Sequence, residues 1–455
     1  MDRNSYEYGP TEKAPNDQKS WQDWSTRYEA KQTLLASARN YLRENTSGAN
    51  NHADPNPDSL FGQVASGKAP FDNWSEAVYA RLIEAAEEDA RKEYTTTLVA
   101  RELKEPRETF LLHRGEYDKP EGEPLRPDVP SVMGEFPEGA PRNRLGLAEW
   151  LTSPKHPLVS RVIANQLWQR LFGYGLVRTP EDFGVQGQQP THPRLLDFLA
   201  IRLQETGWDQ KTMLKEIVLS RTFRQSSATR SQLDDPYNRM LARGPSFRLD
   251  AEVIRDIGLF ASELLDPTMG GEGVKPYQPA GMWKAMAHPA SNTKEYVRDK
   301  GPRLYRKSLY VYWKRTSPHP MMTLFDAPSR ESSCVRREVT NTALQSLAIL
   351  NETQRLEMAR KFAERLLEAR DNDSERISLG FKLLASRVPE AEELSTLLDL
   401  LSKMKQRFSS DADAAKQLLS YGDAELEKKL DPTELASWTV VANTLLASDL
   451  AILLY

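Results

Sequence analysis

The sequence predicts a mainly α fold, with a multi-helix body, a small β element, an N-terminal helical hairpin and a proline-rich connector. Apolar residues recur at helical spacing through most of the chain, as in residues 158–172. Capping residues such as Gly173 and Asp209 stand where these patterns end or begin. Residues 303–315 alternate in the manner of a strand and are the best β candidate in the chain. Helices therefore dominate the predicted architecture.

Residues 1–114 form the first predicted unit. Residues 1–28 are polar and rich in turn-forming residues, which indicates a loose arm. Residues 29–45 have an apolar stripe at helical spacing, and residues 75–104 resemble a long charged helix. The segment between them contains Asn, Asp, Gly and Pro clusters typical of loops. We therefore expect the two helices to form a hairpin.

Residues 115–143 form the predicted connector. Six prolines lie between Pro120 and Pro141. Proline has no backbone N–H and biases the residue before it away from the helical conformation. An extended connector is therefore expected between the hairpin and the body.

The predicted helical body spans residues 144–455. The helix after Asp250 is expected to bury its apolar residues, which are Val253, Ile254, Ile257, Phe260 and Leu264. Residues 303–315 supply the small β element, with Leu309, Val311 and Trp313 on one face. Helices are expected again after Asn341 and through to the end of the chain.

Composition limits the classes of function. Hydrophobic content of 39% predicts a globular protein. The chain has 61 basic and 65 acidic residues, and a net charge of -4 argues against a general nucleic-acid binder. A single cysteine excludes an internal disulfide framework, a cysteine-rich zinc site and a Cys-x-x-Cys-His haem attachment in this chain. No metal site is predicted.

Targeting signals are not visible in the sequence. The first twenty residues lack the apolar core of a secretory signal. The most apolar run, near the C-terminus, is 16 residues long and contains Asp449, so it is interpreted as a buried helix and not as a transmembrane span. Taken at face value, these observations predict a cytoplasmic protein.

The first candidate site lies on the helix of residues 158–172. Arg161, Asn165 and Gln169 follow at intervals of four, so they share one helix face, and Trp168 is beside them. A guanidinium beside amides could hold a carboxylate, a phosphate or sugar hydroxyls. The favoured alternative is a helix face bonded to neighbouring loops.

The second candidate site pairs Asp182 with His192. The two side chains could act as a general acid and base if the fold brings them together. Thr179-Pro180-Glu181-Asp182 also has the pattern of a capped turn, and His192 precedes a proline that begins a helix. Capping is the favoured interpretation of both residues.

The third candidate site is the segment of residues 326–351, which contains Cys334. Its charged members are Asp326, Arg330, Glu331, Arg336 and Arg337. The arginines could clamp an anion, or they could form a salt-bridge network that holds a long loop. Thr340 or Asn341 is expected to cap the helix that follows. Cys334 is expected to be a buried structural residue, since a nucleophile needs a nearby histidine.

The fourth candidate site is the loop of residues 275–279, with Tyr277, together with Trp283. Aromatic residues on a proline-containing loop suit carbohydrate stacking or peptide docking. The same residues could anchor the loop on the core. Gly270, Gly271 and Gly273 do not form a phosphate loop, because no Gly-Lys-Ser/Thr ending or helix follows.

Several strings together resemble one family. They include RLGLAEWLTSPKHPLVSRVIANQLWQRLFGYGLVRTPEDFG from residue 144, HPRLLDFLA, GWDQKTMLKEIVLS, VKPYQP and the segment FDAPSRESSCVRREVTNTALQSLAILN. The chain is similar, over roughly residues 105–455, to the C-terminal domain of unknown function of cytochrome-associated proteins of planctomycetes. Members of that family usually carry, upstream, a signal peptide and a c-type cytochrome module.

The resemblance implies several further expectations. Haem is expected in a separate upstream module or protein, and no cofactor is expected within this chain. The expected partners are a cytochrome-bearing or upstream-domain protein and a polysaccharide, and the expected compartment is then periplasmic or exported. The candidate ligand-binding positions are Arg161, Asn165, Trp168, Asp182, His192, Tyr277, Asp326, Arg330, Arg336, Arg337 and Asn341.

Three functional hypotheses follow. The first is a non-enzymatic binding or docking module for a cytochrome-bearing assembly. The second is a hydrolase or redox-linked enzyme acting on a carbohydrate-like substrate, with Asp182 or Asp326 as acid/base and Arg336 and Arg337 as the anion clamp. The third is a degraded paralogue that keeps only the fold. The enzyme hypothesis requires these groups to converge in one concave pocket.

Overall fold

The mainly α prediction is confirmed. The computed structural model describes residues 11–15, 94–100, 102–103, 107–229, 234–288 and 294–454. Fourteen α-helices and three two-stranded antiparallel pairs lie in these residues. The chain divides into two compact units, residues 1–107 with 268–272, and residues 108–267 with 273–455.

The described strands of the first unit form one antiparallel pair. Strand β1 (Thr11–Pro15) pairs with β2 (Tyr94–Leu98) along its full length. The predicted loose arm is therefore wrong at β1, and the predicted charged helix is wrong at β2. Three consecutive threonines in β2 are β-branched and favour the extended conformation. The rest of the predicted hairpin, residues 29–45 and 75–93, lies outside the described residues.

The second unit begins with the proline-rich connector. Strand β3 (Leu111–Leu112) pairs with β4 (Pro120–Glu121), and residues 122–143 contain a single 3-10 turn and no α-helix or strand. Residues 122–143 follow an irregular course because proline supplies no backbone N–H for regular hydrogen bonding.

Four helices follow the connector. They are α1 (Arg144–Thr152), α2 (Val159–Phe172), α3 (Pro193–Glu205) and α4 (Gln210–Leu219). The residues predicted to end and begin helices do so in this region. Gly173 ends α2 with a φ of +81°, a conformation that favours glycine, and Asp209 caps α4 by accepting from the Lys211 and Thr212 backbone N–H groups. Trp168, Leu203 and Met213 are among the residues of the small core that α2, α3 and α4 share.

Helix α5 (Ala251–Ala261) is rotated from its predicted orientation. Val253 is 41% exposed and Phe260 is 52% exposed, so the prediction that both are buried is wrong. The buried face carries glycine and alanine beside Leu259, and a Cβ at Gly258 would lie 2.6 Å from the sulfur of Met358. Gly258 therefore lets Met358 approach this face closely, which favours its burial over the face of Val253 and Phe260.

The predicted strand at residues 303–315 is also wrong. The segment contains two 3-10 turns, residues 301–305 and 308–310, and makes only single β-bridges, one of which joins Val311 to Val274. Two charged side chains of α5, the buried Arg255 and the partly exposed Asp256, hold these turns. The Asp256 carboxylate accepts from the Ser308 backbone N–H (2.8 Å), and Arg255 donates to the carbonyl of Leu304 (2.8 Å).

The remaining helices form the largest core. They are α6 (Met282–Met286), α7 (Pro320–Leu324), α8 (Ala343–Asn351), α9 (Thr353–Ala369), α10 (Asp373–Ala385), α11 (Ala391–Ser410), α12 (Ala412–Leu419), α13 (Pro432–Ala447) and α14 (Asp449–Ile452). Helix α13 packs against α9, α11 and α12, with Trp438 fully buried. Strand β6 (Leu453–Leu454) then pairs with β5 (Phe247–Arg248). Within the described residues, no helix is long and apolar enough to cross a membrane.

Candidate functional site

The face of α2 that carries the first candidate site is used within the chain. Asn165 is fully buried, and its amide exchanges two hydrogen bonds with the backbone of Val177, at 2.8 and 3.0 Å. Arg161 donates to the Asp197 carboxylate at 2.7 Å. Trp168 is buried and stacks on Phe172, with ring centroids 4.0 Å apart. The structure thus favours the bonded helix face over a ligand site.

Asp182 and His192 each make a local contact. The Asp182 carboxylate accepts from the Gly184 backbone N–H at 2.6 Å. The His192 ring lies 3.0 Å from the Thr191 hydroxyl, at the start of α3. Both contacts belong to the turns in which the residues lie. The Asp182 contact is a turn bond, and His192 stands at the start of α3 without a side-chain capping bond, so neither contact forms an acid/base pair.

Asp326 lies at the centre of a network that closes the loop before α8. Its carboxylate accepts from the Arg248 guanidinium (2.5 Å), the Thr340 backbone N–H (2.8 Å) and the Thr340 hydroxyl (2.9 Å). Burial alone would raise the pKa of Asp326, but the hydrogen bonds from Thr340 and Arg248 outweigh it and lower the pKa. Asp326 therefore stays ionised and ties the two ends of the loop together.

The three loop arginines also pair within the chain. Arg337 forms a bidentate pair with Glu252, with N–O distances of 2.6 and 3.2 Å. Arg330 lies 3.8 Å from the same carboxylate and 4.5 Å above the Trp313 ring. Burial opposes ionisation of Glu252, but the hydrogen bonds and charge of Arg337, with the charge of Arg330, lower its pKa.

Arg336, the third arginine, lies on the surface 3.8 Å from Glu181, and Asn341 is exposed. Arg330 and Arg337 therefore form the predicted salt-bridge network that holds the loop, through Glu252.

Two details of this loop differ from the predictions. Cys334 is exposed, and its thiol donates to the Arg336 carbonyl (3.1 Å), because residues 327–341 contain no helix or strand that could bury it. It lines a cleft of about 270 Å³. The cap of α8 is Thr342, which forms a capping box with Gln345, and not Thr340 or Asn341. Thr340 is engaged by Asp326 instead.

We expect Asp326→Asn to destabilise the chain by about 1–2 kcal/mol, since it weakens a charge-assisted bond to Arg248. Asparagine tolerates the left-handed backbone of Asp326 (φ +61°), so the change isolates the charge. Urea unfolding measures the effect, and limited proteolysis of residues 327–341 should become faster. Asp399→Asn, at an exposed position of α11, is the control. Unchanged stability and cleavage would show that Asp326 does not order the loop.

Tyr277 and Trp283 are anchors of their loop. Tyr277 is 8% exposed and Trp283 is 2% exposed, so neither presents a ring face on which a sugar could stack. The Tyr277 hydroxyl donates to the Glu357 carboxylate (3.1 Å) and accepts from the Asp423 backbone N–H (2.7 Å). Burial, followed by the charge of Glu357, raises the pKa of Tyr277. The anchoring interpretation of this loop is the one observed.

An apolar pocket of about 420 Å³ joins two of the segments that the sequence singles out. Its lining residues come from the loop that follows Lys275, from α7 and from α8, and include Tyr277, Pro279, Pro320, Met321, Leu324, Leu344, Leu347 and Ala348. We call it the α7–α8 pocket. Its volume lies in the range of known ligand and side-chain pockets.

Helix α8 presents leucines outward at this pocket. Leu344 is 62% exposed and Leu347 is 60% exposed, and both line the pocket. The helix buries only Gln345 and Ile349. Large apolar side chains grouped on an exposed surface are characteristic of interaction sites, whereas single ones are ordinary. The α7–α8 pocket is therefore the best candidate site among the described residues.

His319 and Glu352 lie at the inner side of the pocket, and sequence analysis did not single out either. His319 Nε2 donates to the Tyr277 carbonyl (2.8 Å), which fixes the neutral tautomer with Nδ1 unprotonated. Burial, followed by the charge of Arg255, lowers the pKa of His319 to about 4. The only sequence signal is a histidine placed between two prolines, Pro318 and Pro320.

Glu352 joins α8 to α9, and its carboxylate accepts from the Arg355 backbone N–H at 2.9 Å. Burial raises the pKa of Glu352. Glu352 and His319 also line an inner void of about 20 Å³ together with Arg255 and Arg355. Perturbed titratable groups beneath an apolar pocket are common at functional sites, although structural networks show them too.

Metal binding has no candidate in the described residues, since no group of three or more His, Cys, Asp or Glu side chains there could hold an ion.

Fold and site define a mainly α-helical domain with an apolar surface pocket and no recognised catalytic set among its described residues. A model of the family PSD1, described as a protein of unknown function (DUF1553), matches residues 143–401. This match covers more than half of the chain, and the chain belongs to that family. The resemblance to a domain of unknown function is thereby confirmed. No curated protein and no solved structure matches the chain.

Proposed function

We propose that the chain is a non-enzymatic docking module and that the α7–α8 pocket receives an apolar segment of a protein partner. The observation that carries the proposal is the outward apolar face of α8, with Leu344 and Leu347 each at least 60% exposed. Burying such a side chain is worth about 1.5–3 kcal/mol. The pocket beside these leucines gives a partner side chain room to be enclosed on several sides.

The polar candidates support a binding role over an enzymatic one. Asp182 is used in a turn, and Asp326 is bonded to Arg248 and Thr340. Arg337 is paired with Glu252. These contacts occupy the groups that an acid/base mechanism with an anion clamp would need in one pocket. The enzyme hypothesis therefore has no converged set to build on in the described residues.

The resemblance to cytochrome-associated proteins suggests the partner. We propose a cytochrome-bearing protein, or the protein that carries the upstream domain, as the occupant of the pocket. The haem would then belong to the partner, and the docking module would hold that partner in the assembly. Tyr277 and Trp283 are buried in this chain and cannot stack on a sugar. We therefore propose that another protein of the assembly makes any contact with polysaccharide.

The test is co-purification of the tagged chain with the products of neighbouring genes. The wild-type chain should retain one of them in stoichiometric amount. Leu344→Asp should lower its affinity at least about tenfold, because a charged group replaces an apolar contact. Absorbance of the eluate would show whether the retained protein carries haem.

Leu145→Asp is the matched control. Leu145 is 61% exposed and is the second residue of α1, as Leu344 is the second residue of α8. The control should retain the partner. Recovery of the wild-type chain as a lone monomer, or equal retention by Leu344→Asp, would contradict the proposal.

A further inference from the structure

A second concave surface shares no lining residue with the α7–α8 pocket. It is an open groove of about 770 Å³ between α10, α11 and the α13–α14 junction. Its apolar lining residues are Phe381, Leu397, Leu445, Leu450 and Leu453. Apolar atoms supply most of its accessible lining, although all of these residues except Leu453 are more than nine-tenths buried. The groove is large enough for one or two apolar side chains of a bound segment.

The charged lining of this groove is strongly asymmetric. Four carboxylates line it, those of Glu390, Glu392, Glu393 and Asp449, against one guanidinium, that of Arg387. Arg387 forms a bidentate pair with Glu393, with N–O distances of 2.7 and 2.6 Å. That pair leaves the carboxylates in excess, and Glu392 and Asp449 are exposed. The groove therefore combines an apolar floor with an acidic rim.

We propose that this groove binds a cationic amphipathic segment of a protein partner. Apolar side chains of the segment would cover the accessible apolar atoms on the floor of the groove, and its lysines or arginines would face Glu392 and Asp449. The charge of the rim selects this occupant, since an acidic or uncharged segment would leave the carboxylates uncompensated near a covered apolar surface. This binding is independent of the α7–α8 pocket.

A fluorescent peptide made of leucine and lysine at helical spacing tests the proposal. We expect measurable binding by anisotropy at micromolar to millimolar concentration. A peptide with glutamate in place of lysine should not bind. A peptide with serine in place of leucine should bind at least about tenfold more weakly, because the apolar floor is then left uncovered.

The variant Glu392→Lys/Asp449→Lys should weaken binding of the leucine–lysine peptide at least about tenfold. The matched control is Asp399→Lys/Asp413→Lys, which makes the same change of charge on exposed positions outside the groove. Asp413 is the second residue of α12, as Glu392 is of α11. The control should stay within about twofold of wild type, and Leu344→Asp should also bind normally.

Several outcomes would overturn the proposal. If the control variant weakens peptide binding equally, the binding is due to general attraction between opposite charges and not to the groove. Equal affinity for the serine peptide would exclude a role for the apolar floor. Sedimentation showing that the wild-type chain self-associates, and that Glu392→Lys abolishes the association, would assign the groove to a second copy. Glu392→Lys alone, checked by circular dichroism, replaces the double variant if the latter does not fold.

Discussion

Arg255→Met should lower the free energy of unfolding by about 3–5 kcal/mol, the range for removing one partner from a buried charged network. Arg255 Nε donates to the Gln354 side chain (2.8 Å), and Nη2 donates to the Leu304 carbonyl (2.8 Å). Nη1 donates to the Arg306 carbonyl (2.9 Å) and the Ser308 hydroxyl (3.1 Å). Methionine can fill the space but donates nothing, so four hydrogen bonds are lost, although Gln354 still donates to the Leu304 carbonyl.

Burial lowers the pKa of Arg255 to about 10, and Asp256 and Glu352 oppose the shift. The guanidinium thus remains charged at neutral pH, and all of its bonds are present there. A loss of this size is a large part of the stability of an ordinary domain, which is about 5–15 kcal/mol. We therefore expect Arg255→Met to be among the most damaging single changes in the helical body.

Urea unfolding followed by circular dichroism measures this loss, and Arg303→Met is the control. The Arg303 side chain is 46% exposed and pairs with Asp299 at 3.1 Å. Its replacement should cost no more than about 1 kcal/mol, as for other exposed ion pairs. Similar losses in the two variants would show that the Arg255 network adds nothing beyond a surface pair.

The second large effect concerns pH. The pKa of His319 is about 4 in the folded chain, mainly because of burial, whereas an unfolded histidine has a pKa of about 6.5. Between these values the unfolded chain binds a proton at this residue and the folded chain does not. The stability that His319 contributes is therefore fully present above about pH 6.5 and is lost as the pH falls toward 4. The loss amounts to about 3 kcal/mol.

Unfolding curves of wild type and His319→Gln, recorded between neutral pH and pH 4, isolate this contribution. Glutamine can still donate to the Tyr277 carbonyl but does not titrate in this range. Glu352 acts in the opposite direction, because its raised pKa favours proton uptake on folding, but it is present in both proteins. The wild-type curve should fall more steeply with acid, and parallel curves would contradict a buried neutral His319.

Local signals in the sequence predicted local structure well. Gly173 and Asp209 end and begin helices as expected, because a cap acts on backbone groups within a few residues. The predictions failed where distant groups intervene. The strand expected at residues 303–315 curls into turns, since Arg255 and Asp256 hold its backbone from another helix. The alternation of apolar and polar residues within a segment gives no information about hydrogen-bonding partners on another helix.

The candidate site shows the same limit. The α7–α8 pocket is formed by residues from three separate segments, and only tertiary packing brings Pro279 near Leu344. The loop with Tyr277 and the segment that ends in α8 are both distinctive in the sequence, but the sequence does not show that they meet. The charged residues predicted as ligand-binding positions make contacts within the chain, whereas the leucines of α8 remain exposed. The sequence shows that a residue is a leucine, but it does not show whether the folded chain buries or exposes that side chain.

Helix α8 is held at both ends. The capping box of Thr342 and Gln345 fixes its start, and Glu352 is the single residue between it and α9. Met358 and Phe362 of helix α9 pack in the largest core. The exposed leucines therefore lie on a helix that is preorganised before a partner binds. Little conformational entropy is lost in ordering this helix on binding, so even a small contact area can support specific association.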